Sequence, residues 1–315
     1  MALSKAKTRL LERLQHPRFR SREGAFLVEG IRGVEEALEA RLPHGLPLVL
    51  VSPRLRESPR GRRLEDRLRL QAGPVRVVEE VEDDELARLS ATEHPQGVLL
   101  VAEEPRVEPR NVVEGPGPGL LLLDGVQDPG NVGTLLRGAW AFGLRGGLVL
   151  EGTADPWNPK AVRAAAGALF HLPVARAAWR EVDALLAEQG MALLVADTAG
   201  EPVTRMRAPE AWALAVGNEG AGVREAVRQA GGRMVSVRMA PGAESLNAGV
   251  AGSILLFALT NDGELSGKPA GEASEAADEA APEAADEAEA EAADEQAPEA
   301  PAEEVSVESD ERPGG

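Results

Sequence analysis

Residues 120–143, LLLLDGVQDPGNVGTLLRGAWAFG, decide the fold. Leu120 to Leu123 form a buried-strand pattern; a polar, glycine-bearing break follows, and then a helical pattern through Leu135, Leu136, Ala139 and Trp140. A strand that runs through a turn straight into a helix sets polar residues at the carboxyl edge of an α/β sheet, where ligands usually bind. Asp124, Asn131 and Arg137 take that position here. Arg137 is the sharpest of the three, because a guanidinium buried among apolar neighbours such as LLRGAWAFG needs partners. A structural salt bridge and a ligand contact both satisfy that need.

Downstream, strands are expected at Leu120–Leu123, Gly147–Leu150, Ala192–Ala196, Trp212–Val216 and Met234–Val237, and helices near 133–142, 158–168, 180–189, 221–230 and 245–260. Several of these strands are continuous apolar runs, which favours parallel pairing with both faces covered. Upstream, RVEPRNVVEGPGPG at 106–119 is punctuated by proline and glycine and reads as a linker. Residues 1–105 alternate helical and strand-like runs, the mark of a small α/β domain: SKAKTRLLERLQ, AFLVEG, IRGVEEALEARL, LPLVLVSP, RGRRLEDRLRLQ, VRVVEEV and QGVLLVAEEP. HPRFRSREG between the first two reads as a loop carrying Arg18, Phe19, Arg20 and Arg22, a set able to touch an RNA backbone and stack on a base, or to be a solvated loop with Phe19 packed inward. Arg60, Arg62, Arg63, Arg67 and Arg69 form a second candidate phosphate-facing stripe, interrupted by Glu65 and Asp66.

The formal net charge of -18 is unevenly spread. Residues 1–76 carry 17 basic against 9 acidic residues, whereas 262–315 carry 19 acidic against 2 basic. The basic front is compatible with a polyanionic partner despite the total. The acidic end, with approximate EAADEA repeats and no aromatic residue, lacks the apolar surface to offset ordering entropy and is expected to be a disordered tail. With no cysteine, thiol nucleophiles, disulfides and thiolate metal sites are excluded. The four histidines have no zinc-binding spacing, so no metal is expected. No secretory leader or membrane-spanning apolar run is found, so a cytoplasmic protein without membrane association is expected.

Three constellations carry the chemistry. Asn131-x-Gly133 with Arg137 opens the helix of the deciding stretch, where Asn131 can cap the helix or bind a ligand and Gly133 allows close backbone approach. GNEGAG at 217–222 follows a strand and exposes backbone donors beside Asn218 and Glu219. ESLN at 244–247 opens an apolar helix rich in small residues, which Ser245 or Asn247 can cap. Neither a dinucleotide fingerprint nor a nucleotide-triphosphate phosphate loop is present.

Taken in order, Asn131-Gly133-Arg137, GNEG and SLN before a small-residue helix resemble the three motifs of the SpoU or TrmH family of RNA ribose 2'-O-methyltransferases, over residues 120–260. The amino-terminal segment, including FRSREGAFLVEG, is similar to the substrate-binding domain of the ribosomal RNA branch. The resemblance implies a SPOUT fold for 120–261, a parallel α/β domain with a deep trefoil knot, and a homodimer with S-adenosyl-L-methionine held by the knot loops. Gly217, Val237 and Leu246 would contact the cofactor mainly through backbone groups, with Thr198, Asn218 and Met239 lining its pocket. Arg137, Glu219, Ser245 and Asn247 match the family's polar active-site residues, with Asn131 beside them. Arg18, Phe19, Arg20, Arg22, Arg62 and Arg63 are the candidate RNA contacts of the first domain.

Two departures stand out: Val237-Arg238-Met239 where the family often has I-P-M, and Ala248 where it has valine after SLN. Neither removes a polar group of the site. The reading is methyl transfer to a ribose 2'-hydroxyl, in 23S ribosomal RNA rather than transfer RNA because a whole domain precedes the methyltransferase core. The alternatives are a transfer RNA enzyme, a non-catalytic RNA-binding or ribosome-assembly factor and, more distantly, a dinucleotide enzyme.

Overall fold

A computed structural model describes residues 3–40, 47–71, 77–243 and 245–261; the acidic segment from 262 onward and Glu244 lie outside the described residues. In chain order the elements are α1 (Lys5–Leu14), α2 (Pro17–Glu23), β1 (Ala25–Glu29), α3 (Ile31–Glu39), β2 (Leu48–Val51), α4 (Pro59–Leu70), β3 (Val77–Glu80), α5 (Asp83–Leu89), β4 (Val98–Glu103) and α6 (Pro109–Val113). There follow β5 (Gly119–Asp124), α7 (Pro129–Ala141), β6 (Gly146–Val149), α8 (Pro159–Ala165), β7 (Val174–Arg176), α9 (Trp179–Glu188), β8 (Ala192–Pro202), β9 (Trp212–Gly217), α10 (Glu225–Arg228), β10 (Arg233–Ser236) and α11 (Ala248–Thr260).

The first strands make a four-stranded sheet in the order β1-β4-β2-β3, antiparallel except for the β2–β3 pair. The rest form a six-stranded sheet in the order β10-β8-β9-β5-β6-β7, parallel throughout. Strand β5 is central and buried along its whole length, as four successive leucines demand of a strand covered on both faces. Trp212 at the start of β9 lies against Gly119, where an added Cβ would come 2.6 Å from the indole. Helices α7 and α11 cover one face and α9 and α10 the other, with separate apolar clusters on the two sides.

The face that α7 and α11 cover shares its apolar cluster with the small sheet. Phe26 of β1 packs against Trp157 and Phe170, with ring centroids 4.6 and 6.1 Å apart. Trp157 and Phe170 flank α8 in sequence, so these ring contacts join β1 of the small sheet to the α8 region of the second half.

Three local expectations change. HPRFRSREG contains helix α2, started by Pro17 at its first turn and closed by Gly24 in the left-handed region at φ 61°. That helix turns Arg20 inward: it is 1 % exposed, donates to Asp155 Oδ2 at 2.7 Å and to the Leu14 carbonyl at 2.9 Å, and so is a structural residue rather than an RNA contact. The 106–119 segment holds α6, whose Val112 and Val113 are buried in the second cluster. Gly133 serves helix packing, not ligand approach: a Cβ there would stand 2.3 Å from the Ala161 carbonyl of α8.

Candidate active site

The sheet's carboxyl edge is shaped by an irregularity in β8. In the β8–β10 pairing Met234 faces Val195, but the next residue, Val235, faces Glu201, so residues 196–200 swing out of register. The swing puts Asp197 and Thr198 beside the loop after β9 and the segment after β10. Between these three segments lies a cavity of about 590 Å³. Thr198, Gly217, Asn218, Val237, Met239 and Leu246 all line it, as do Glu219, Ser245 and Asn247.

The 217–222 loop is held by its own backbone. Asn218 and Gly222 exchange N–H···O bonds of 3.0 and 2.9 Å, and the Asn218 Oδ1 accepts from the Gly220 and Ala221 amides at 2.9 Å each. Gly217 admits no side chain, since a Cβ would sit 2.2 Å from the Gly222 carbonyl carbon and the Val223 nitrogen. The Asn218 amide donates to the Gly125 carbonyl at 3.1 Å, tying this loop to the exit of β5. A second tie lies below it, where buried Asp124 accepts from the Arg224 backbone at 2.7 Å and from its Nε at 2.5 Å.

Glu219 binds the same two loops from the other end. Its carboxylate accepts from Asn131 Nδ2 at 2.9 Å and from the Gln127 and Asp128 amides at 3.2 Å each. Burial pushes the Glu219 carboxyl up, but the bonds from Asn131 and from the backbone amides outweigh it and hold the group below the usual carboxylate range. Asn131 is thereby fixed, and it meets Asn247 across Gly249, where a Cβ would lie 3.1 Å from the side-chain oxygen of each. Asn247 caps α11 by accepting from Val250 N at 3.2 Å. Ser245 is exposed at the cavity wall.

Arg137 departs from the expectation of a buried guanidinium. It is exposed on α7, does not line the cavity, and has no hydrogen-bond or ion-pair partner among the described residues. Its helix presents Trp140 at 37 % exposure, and the adjoining α11 presents Val250, Ile254 and Phe257 at 47, 39 and 45 %. These three lie at i, i+4 and i+7, one apolar stripe on a helix whose opposite side is buried.

The sequence reading missed Asp197 and Arg228, which face the cavity as an ion pair. The bond from the Ala199 amide, against a smaller burial effect and with help from Arg228, holds the Asp197 carboxyl low. The signal available was its place directly before Thr198 at the end of a strand. In the first domain Arg18, Arg22 and Arg63 are exposed, Arg62 donates to the Arg56 carbonyl at 2.6 Å, and Phe19 is half-buried beneath the Arg13 guanidinium, 5.5 Å from the ring centre. Among the described residues no group of three or more acidic, histidine or cysteine side chains is arranged to hold a metal, and no helix is long and apolar enough to cross a membrane.

The model of the SpoU rRNA Methylase family matches residues 119–257, and that of the MRM3-like substrate binding domain matches residues 5–100. The chain is 34 % identical over 251 residues to the 23S rRNA (guanosine(2553)-2'-O)-methyltransferase RlmP of Bacillus subtilis, covering 79 % of this chain and 93 % of that one. The chain belongs to the SpoU family of RNA methyltransferases. It is 33 % identical to the 23S rRNA (guanosine-2'-O-)-methyltransferase RlmB of Bordetella pertussis, over 70 % of this chain and 92 % of that one. Among solved structures it resembles the SpoU methyltransferase AviRb from Streptomyces viridochromogenes in complex with AdoMet, with TM-score 0.72, 28 % identity, and 82 % and 98 % of the two chains covered. All three motifs that carry the family resemblance lie at one edge of one sheet, although Arg137 is not among the residues that line the cavity.

Proposed function

We propose that this SpoU-family enzyme transfers a methyl group from S-adenosyl-L-methionine to a ribose 2'-hydroxyl of 23S ribosomal RNA, as a homodimer acting in the cytoplasm. The RNA 2'-O-methyltransferase class and the cofactor follow from family membership; the 23S target is supported by the names of its bacterial relatives. One observation carries the reading: the six residues expected around the cofactor line a single cavity, with the Asn131–Glu219 pair at its edge. The cofactor fits what is there. The volume lies within the roughly 300–1,000 Å³ of small-molecule sites, and backbone at Gly217 and Gly222 forms a wall that no side chain obstructs.

Bound S-adenosyl-L-methionine supplies an electrophilic methyl group; the chain must bring the 2'-oxygen in line with it and relieve that oxygen of its proton. Glu219 is anionic and already accepts three N–H bonds, so it positions Asn131 rather than taking the proton. Asn131, Ser245 and Asn247 then offer hydrogen bonds to the ribose and its phosphate. Arg137 carries a guanidinium, a strong hydrogen-bond donor and a poor base, and so acts by holding the 3'-phosphate and stabilising the developing alkoxide. A phosphate oxygen or water accepts the proton.

Arg137 does not line its own cavity and stands exposed on α7, the helix packed against α11 with its exposed Val250–Ile254–Phe257 stripe. Pairing two copies through α7 and α11 would cover that stripe and deliver Arg137 to the partner's cofactor cavity, and the trefoil threading is part of the same reading. Residues 1–105 serve as the RNA-binding domain, through Arg18, Arg22, Arg62, Arg63 and Phe19; 106–119 joins it to the catalytic domain at 120–261, and 262–315 is the acidic tail. Incubation with labelled methyl donor and undermethylated total RNA, followed by nucleotide mapping, tests the function: one 2'-O-methylated position in 23S RNA is expected, whereas modification of transfer RNA or binding without transfer contradicts it. Comparing R137A with R137K tests the arginine's role, since equal loss of RNA affinity with unchanged bound-state turnover would exclude electrostatic stabilisation.

A further inference from the structure

This molecule's available positive charge is smaller than its nominal charge, because acids and carbonyls already hold many of its arginines. In residues 119–261, Arg145 is held by the Gly117 and Val113 carbonyls, Arg163 by Glu29, Arg176 by Asp155, Arg224 by Asp124, Arg228 by Asp197 and Arg233 by Glu201. Among the described residues Arg137, Arg180, Arg205, Arg207 and Arg238 are exposed and have no such partner; Arg137 stands on α7 and Arg180 on α9, which leaves Arg205, Arg207 and Arg238. They are neighbours in the fold. Pro202 pairs in register with Ser236, so the segments bearing Arg205 and Arg238 leave the parallel β8–β10 pair side by side and in the same direction.

Both segments are anchored so that their arginines point outward. Met206 is buried between exposed Arg205 and Arg207, which places those two side chains together on the solvent side. Arg238 is exposed between half-buried Val237 and Met239, both of which line the cofactor cavity. The nearby acids Glu201 and Asp197 are already taken by Arg233 and Arg228.

We propose that Arg205, Arg207 and Arg238 form a phosphate-binding rim at the mouth of the cofactor cavity, gripping the RNA backbone beside the nucleotide to be methylated. Its ligand is a run of RNA phosphates, because three arginines on two anchored segments match a repeating anion and contribute no base-specific contact. The proposal rests on the reading of the cavity as the site of RNA methylation, and it adds the residues that hold the strand there.

The test compares R205A/R207A/R238A with R60A/R67A, a change in two α4 arginines that are ion-paired to Glu35 and Glu39. Binding of each protein to an unmethylated 23S RNA transcript is measured from 50 to 300 mM KCl, with S-adenosyl-L-methionine affinity measured by calorimetry. Each phosphate contact contributes roughly 0.7–0.9 to the log–log salt slope, so the rim variant should lose about 2–3 from the slope and bind at least ~10-fold more weakly at 100 mM salt. Its cofactor affinity should be unchanged, its KM for RNA raised and its kcat retained. The α4 variant should keep the wild-type slope. A rim variant with the wild-type slope, an equal loss in the α4 variant, or a rim variant that loses cofactor affinity overturns the proposal. Wild-type protein that binds the transcript through the rim but transfers no methyl group would instead overturn the enzymatic reading and leave the rim standing.

Discussion

Helix α4 and the loops at the carboxyl edge of the large sheet make opposite use of charge. Helix α4 is conspicuous, with Arg60, Arg62, Arg63, Arg67 and Arg69 on its 12 residues, yet most of that charge is paired locally. Buried Glu65 binds both Arg56 and Arg69, Glu80 reaches the same two, and Glu35 and Glu39 hold Arg60 and Arg67. Bonds from Arg56, partly opposed by burial, hold the Glu65 carboxyl low, as a carboxylate shared by two guanidinium groups requires. The edge loops carry few charges and look mild in sequence, yet their backbone is fixed by Asn218, Glu219 and Asp124 and their solvent-facing groups stay open. Charge density in a sequence thus measures stabilising networks as readily as it measures binding surface, and only the positions of the acids distinguish the two.

The largest effect is expected at Arg20: R20A leaves Asp155 without one of its two arginines inside a shared core and should cost about 3–5 kcal/mol of stability, read by denaturant unfolding, with no selective change in RNA affinity. In the catalytic half, R137A should lower turnover about 10²–10³-fold, the scale for removing one donor to a developing oxyanion, while calorimetric cofactor affinity stays as in the wild type. G217A should weaken cofactor binding about tenfold or more, because the loop must shift to admit a methyl group where 2.2 Å is available, and overpacking costs about 1–3 kcal/mol.

A smaller effect is expected from pH. Glu219 has its pKa depressed in the folded protein, so its stabilising contribution is present above the unfolded carboxylate value of about 4.3 and is lost as pH falls through the folded value. Thermal unfolding between pH 7 and pH 3 should therefore show a steeper acid loss for wild type than for E219Q. Glu104 has the opposite sign: burial, only partly opposed by Arg176, raises its pKa, so it favours folding less as pH rises through the unfolded and then the folded value. The smallest effect belongs to the exposed pairs of α4, where R60A should leave the denaturation midpoint close to that of the wild type. A loss comparable to that of R20A would show that the surface network is structural after all.

Much of the fold was readable because its central strands are unambiguous. Four leucines at 120–123 and WALAV at 212–216 admit no amphipathic reading, and the three glycine-bearing segments after strands announce one ligand edge. What could not be read depends on contacts distant in sequence. Strand β7 is only Val174–Arg176 and is defined by its pairing with β6. Helix α10 begins at Glu225, later than the periodicity suggests, because the Asn218–Gly222 bridge and the left-handed Gly222 at φ 71° occupy the preceding residues. The orientation of Arg20 and of Arg137 was invisible for the same reason: each lies in a helix, and which side of the helix meets the core is decided by packing on other elements. The six positions proposed for the cofactor were legible only through the family resemblance, since composition and spacing alone give a glycine-rich turn and a capped helix.

The reaction proposed for this edge is methyl transfer to a ribose oxygen of RNA. It is tested most directly by incubating the full-length protein with tritiated S-adenosyl-L-methionine and undermethylated ribosomal RNA, then hydrolysing the product in alkali. A 2'-O-methyl group blocks cleavage at its own phosphodiester, so label is expected in alkali-resistant dinucleotides from 23S RNA. Label recovered only in mononucleotides would place the methyl group on a base and contradict it, as would no transfer at all by a protein that binds the cofactor.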